Sequence, residues 1–142
     1  MSRWSALVLF PVLPAPAARR LQGSRIAVAL PLVFAVVIGA FFLLAGVDPG
    51  DALAVGLTYG RYVYGVALGG TVFGILALRI AQREAGWREL FGPAVVAAAW
   101  LPFVFVALLG IAHALGAGAT GGLYAGLISL LWGAAAGMGI LA

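Results

Sequence analysis

Ile26-Ala-Val-Ala-Leu-Pro-Leu-Val-Phe-Ala-Val-Val-Ile-Gly-Ala-Phe-Phe-Leu-Leu-Ala-Gly46 carries no charge over 21 residues. As a helix it rises about 31 Å, enough to cross a hydrocarbon core of about 30 Å. The rest of the 142-residue chain is built the same way: 65% is hydrophobic, 8% is charged, and the mean hydropathy is +1.17. A soluble domain carries about 25% charged residues. Eight basic and four acidic side chains cannot clothe the surface that a water-soluble fold of this length exposes. The expected solvent is lipid, and the expected fold is an all-α bundle of four membrane-spanning helices.

Three further apolar stretches follow, at 52–80, 93–115 and 122–141. Val47-Asp48-Pro49-Gly50-Asp51 breaks the first from the second, and Asp51 is placed to cap the helix that follows. The second stretch reads as one long helix with a single charge, Arg61. The connection Arg79-Ile-Ala-Gln-Arg83-Glu84-Ala-Gly-Trp87-Arg88-Glu89-Leu-Phe91-Gly92 has the composition of an amphipathic segment at headgroup level. Pro93 then falls in a tolerated first-turn position of the third span, and Pro102 lies inside it. Gly116 to Gly121 form an uncharged tight turn before the fourth span.

All eight basic residues are arginine, which leaves a net charge of +4 and a pI near 10.4. Such a balance orients a polytopic chain against anionic headgroups; no nucleic-acid partner is expected. Arg3, Arg19, Arg20 and Arg25 precede the first span, and Arg79, Arg83 and Arg88 sit in the polar connection. Seven of the eight thus share one side, which the positive-inside rule assigns to the cytoplasm of a bacterial inner membrane, with both termini there. Residues 1–25 imitate a signal peptide. However, Pro11, Pro14 and Pro16 break the apolar run and Arg19-Arg20 would have to be translocated, so an interfacial segment leading into a transmembrane domain of residues 26–142 is expected.

The 21 glycines are not scattered evenly. On the second span Gly56, Gly60, Val63, Ala67, Gly70, Gly74, Ala77 and Ala81 recur at helical spacing, and on the fourth so do Gly122, Gly126, Ser129, Gly133 and Ala136. Apolar side chains gain little by leaving lipid for another helix, so close backbone approach must drive association, and small residues permit it. Both rows are expected to pack against helices of this chain or of another subunit.

Arg61 is the one charge inside a span. It could pair with Asp48 or Asp51, or snorkel at the outer interface among Tyr59, Tyr62 and Tyr64. His113 could relay a proton or ligate haem, or serve as a hydrogen-bonded interface residue. Arg61, His113, Asp48, Asp51 and Tyr124 all belong to the outer half and form a candidate polar cluster. Cysteine is absent, which excludes disulfides and thiol chemistry. No phosphate loop, His-Glu-x-x-His motif or nucleophile elbow occurs, so no enzyme activity, cofactor or metal is expected.

Leu78-Arg-Ile-Ala-Gln-Arg-Glu-Ala-Gly86-Trp87-Arg88-Glu-Leu-Phe91, with Ala97-Ala-Ala-Trp100-Leu-Pro102-Phe and Leu127-Ile-Ser-Leu-Leu-Trp132, resembles the Yip family of small polytopic membrane proteins. Phe10-Pro11 and Arg19-Arg20-Leu21 are similar to that family's amphipathic lead-in. Glu84-Ala85-Gly86 stands where the family more usually has a Gly-Gly pair, and four spans stand where it commonly has five. The resemblance implies a non-enzymatic helical protein whose eukaryotic relatives assist membrane trafficking with Rab-type GTPases. The function expected from the residues is a non-catalytic scaffold or accessory subunit of a membrane complex. The alternative is a small channel or carrier with Arg61 and His113 as polar waypoints; a third is a membrane enzyme or cofactor binder.

Overall fold

The computed structural model describes residues 1–141, with side chains to residue 137. The expected cytoplasmic C-terminus, Ala142, lies outside the described residues. Six helices follow in order: α1 (Arg3–Leu9), α2 (Pro14–Leu21), α3 (Arg25–Leu44), α4 (Pro49–Ile80), α5 (Trp87–Ala114) and α6 (Gly121–Leu141). No strand occurs among the described residues. Four stretches, in α3, α4, α5 and from Gly118 to Gly137, are long and apolar enough to cross a membrane.

The helix ends obey local chemistry. After α3, Gly46 adopts a left-handed φ of +86°, the Gly46 N–H reaches the Leu43 carbonyl, and the Val47 N–H reaches that of Phe42. Gly116 does the same after α5, with Gly116 bonded to His113 and Ala117 to Ala112. This pattern satisfies carbonyls that a helix end would otherwise leave bare, and glycine adopts the required backbone without strain. α4 ends in the same bonds, Gln82 to Arg79 and Arg83 to Leu78, but with Gln82 at φ +58°, the one described non-glycine residue at positive φ.

Two boundaries differ from the expected ones. α5 begins at Trp87, not Pro93, so the polar connection shrinks to residues 81–86 and Pro93 sits inside the helix, fully buried. Trp87 and Phe91, one turn apart, stack with ring centroids 5.3 Å apart, a contact that helps carry the helix back through residues whose charges suggested a surface segment. At α4 the cap position falls to Asp48, with Pro49 at the first turn and Asp51 inside that turn; Pro49 has no N–H to lose there.

α5 is the hub. α3 and α4 pack on each other and both pack on α5, while α6 packs on α5 and on α2. Two proline-containing helices expose carbonyls that α4 then serves: Tyr64 Oη donates to Val28 O at 2.7 Å and Tyr59 Oη to Ala99 O at 2.7 Å. Each acceptor lies three residues before an internal proline, Pro31 or Pro102, next to the carbonyl whose helical donor that proline removes.

The N-terminal residues contribute one whole side of the molecule's core. Ala6, Leu7, Phe10, Ala17, Ala18 and Leu21 form one core cluster with Ala27, Val96 and Ala136, backed by Trp100 and Trp132. α1 and α2 fold back on each other as a hairpin, and Arg20 Nε donates to Met1 O at 3.0 Å across its open end. At that end Gly92 lets the backbones meet: a Cβ there would stand 2.9 Å from Leu21 O and 3.2 Å from Ser24 O. Residues 1–25, expected to lie outside the helices, are thus packed alongside them.

Candidate functional site: an open groove between α4 and α6

α4 and α6 flank α5 without closing over it. The result is a groove floored by α5 and walled by the other two helices. Its outer part, about 1080 Å³, is lined by Thr58 and Tyr62 of α4, Leu101, Pro102 and Phe105 of α5, and Gly122, Gly126 and Leu130 of α6. Its inner part, about 480 Å³, runs between Gly70, Gly74 and Ala77 on α4 and Trp132, Gly133 and Gly137 on α6, over Leu90, Pro93 and Ala97. Leu101 belongs to the floor of both, so the two parts adjoin.

The groove is apolar because its hydroxyls are already engaged. Thr58 Oγ1 donates to Ala54 O at 2.8 Å, Thr71 Oγ1 to Ala67 O and Ser129 Oγ to Ala125 O, both at 2.7 Å, each one turn back on its own helix. Tyr59 is spent on Ala99. Among the described lining residues, Tyr62 alone has a hydroxyl not used in this way. Tyr62 apart, such a surface offers shape and van der Waals contact.

The small-residue rows divide on this geometry. Gly56 is a close-approach position, since a Cβ there would lie 3.0 Å from Ala35 O on α3. Ala67 is buried in the cluster of Val63, Val95, Ala98 and Ala99. Gly60 has no atom within 4 Å of a Cβ position, and the same holds for Gly70, Gly122, Gly126 and Gly133. Gly74 would meet Leu90 Cδ1 at 3.5 Å, an ordinary contact, and Ala77 is exposed. Ser129 and Ala136 are buried, while Gly122, Gly126 and Gly133 face the groove. Within this chain, therefore, Gly56, Val63 and Ala67 of the α4 row pack, and much of the α6 row lines open space.

Arg61, His113, Asp48, Asp51 and Tyr124 are all exposed, and none lines either part of the groove. No hydrogen bond or ion pair joins them among the described residues. No group of three or more His, Asp or Glu that could hold a metal comes together among the described residues. Gly92 is the packing glycine that sequence reasoning missed. It was hidden inside the supposed polar connection, and its only signal is the Gly92-Pro93 pair after Leu90-Phe91.

No family model, curated protein or solved structure matches the chain.

Proposed function

We propose that this chain is an integral membrane protein of four spans, with its arginine-rich side in the cytoplasm of a bacterial inner membrane. In this reading it works as a non-catalytic scaffold or accessory subunit, and the groove between α4 and α6 receives a transmembrane helix of a partner subunit. One observation carries the reading: Gly70 on one wall, and Gly122, Gly126 and Gly133 on the other, spend their small size on no neighbour in this chain. Small residues on a span favour a close helix neighbour, because only backbone proximity and van der Waals contact reward helices for leaving lipid. The opposite side of α5 supports the comparison, since there the cleft beside α6 is filled by the α1–α2 hairpin. The resemblance to the Yip family points the same way, towards a membrane protein without chemistry of its own.

The test is a double substitution, Gly126→Leu with Gly133→Leu, which fills both parts of the groove where no atom now stands. Native membranes are solubilised in mild detergent and the mass of the assembly is measured. The wild type is expected to run with a second membrane-spanning chain, and the variant alone with unchanged helical circular dichroism. An assembly of unchanged mass, or a wild type that runs as a single chain, overturns the reading.

A further inference from the structure

We propose that residues 3–21 form a re-entrant hairpin that enters and leaves one leaflet from the arginine-rich end, and that its outward face is a surface for acyl chains. This rests on the reading of the four long helices as membrane spans. The hairpin's depth follows from what its tip touches. Pro11, between α1 and α2, accepts a 2.8 Å hydrogen bond from Trp132 Nε1, near the middle of α6. Leu7 accepts from Trp100 Nε1, and Trp100 lies about 20 Å along α5 from its first residue. The open end, where Arg20 meets Met1, sits beside Gly92 near the start of α5.

A segment lying flat at the headgroups buries one face and wets the other. Between Trp4 and Ala18 this hairpin's one polar side chain is Ser5, which is bonded to Ser2, and the polar side of α2 is confined to Arg19 and Arg20 in its last turn. Inward it presents Ala6, Phe10 and Ala17, all fully buried. Outward it presents Trp4, Val8 and Val12, which are 67%, 70% and 75% exposed. Its charges, Arg3, Arg19 and Arg20, are all at the open end, with none from Trp4 to Ala18. That distribution suits headgroups at the mouth and hydrocarbon along the sides, and the exposed apolar face continues the apolar surface of the long helices. Two carbonyls of the tip, Leu7 and Pro11, have hydrogen bonds supplied by indoles, as suits backbone at membrane depth.

The chain has no cysteine, so single-cysteine variants report one position each. Ser2→Cys, Val8→Cys, Val12→Cys and Val36→Cys are prepared in membrane fragments open on both faces and treated with a membrane-impermeant maleimide. Val36 stands on the exposed side of α3 and serves as the lipid reference. The expected result is rapid labelling at Ser2→Cys and protection at Val8→Cys and Val12→Cys equal to that at Val36→Cys, with all four labelled after denaturation. If Val8→Cys and Val12→Cys label as fast as Ser2→Cys while Val36→Cys stays protected, the hairpin lies in water and this inference fails alone. If Val36→Cys labels too, the membrane reading falls with it.

Discussion

The indole of Trp100 donates a 2.9 Å hydrogen bond to the carbonyl of Leu7, 93 positions earlier in the chain. The acceptor is bare for a local reason. A helical Leu7 carbonyl would be served by the N–H four residues on, and that residue is Pro11, which has none. Trp132 treats Pro11 itself the same way. Pro11 thus both leaves the Leu7 carbonyl bare and offers its own, the two acceptors by which the N-terminal segment is held.

Trp100→Phe keeps an aromatic ring against Phe34 and Phe103 but removes the donor. Leaving a buried carbonyl unpaired costs about 1–3 kcal/mol. The apparent melting temperature in detergent should fall. In a Trp100→Phe, Trp132→Phe double variant the N-terminal residues should become sensitive to limited proteolysis. A hairpin that stays protease-resistant in the double variant would show that its apolar packing suffices.

Gly92→Ala and Gly133→Ala should act in opposite directions. At Gly92 the new methyl meets Leu21 and Ser24 carbonyl oxygens at 2.9 and 3.2 Å, and backbone on both sides cannot yield like a side chain. Overpacking of this kind costs about 1–3 kcal/mol. At Gly133 nothing lies within 4 Å, so the isolated chain should gain the helix-propensity difference of about 0.5–1 kcal/mol. Thermal unfolding of both purified variants decides the matter, and equal effects would contradict the packing described.

Gln82 occupies a left-handed position that the ends of α3 and α5 give to glycine. Gln82→Gly should raise stability by about 1 kcal/mol, the strain a side chain suffers there. The check is a higher unfolding midpoint with unchanged helix content.

Ser24 precedes α3 at its cap position but makes no capping bond, and its buried Oγ has no partner. The usual loss on removing a serine cap should therefore not occur. Ser24→Ala is expected to be neutral or to stabilise by about 1 kcal/mol, because an unpaired hydroxyl is taken out of an apolar site. A drop in melting temperature would reveal a hydrogen bond made in solution.

The long helices were legible because length and apolarity act over twenty residues at once, and Ile26–Gly46 met both conditions without reference to any neighbour. The hairpin was not legible for the converse reason. α1 and α2 have 7 and 8 residues, too short for periodicity to speak, and their anchors lie on Trp100 and Trp132, far along the chain. Glycine spacing located the faces of α4 and α6 but not the partners. Gly56 and Gly126 look alike in sequence. One meets the backbone of α3, and the other meets nothing because α4 and α6 stand apart over α5, a distance no local pattern encodes. The outer polar residues likewise shared one end of the spans in the sequence but not a contact, because Asp51 and Arg61 stand about 15 Å apart along α4 and His113 and Tyr124 lie on other helices.

α4 has 32 residues and α3 has 20, and the two start from the same short turn. Their lengths are about 48 and 30 Å, so all of the surplus emerges at the far end, where the 81–86 loop joins α4 to α5. Tied to α3 through Tyr64 and to α5 through Tyr59, α4 is not free to swing, and its overhang holds the loop carrying Arg83 and Glu84 about 18 Å clear of the level where α3 begins.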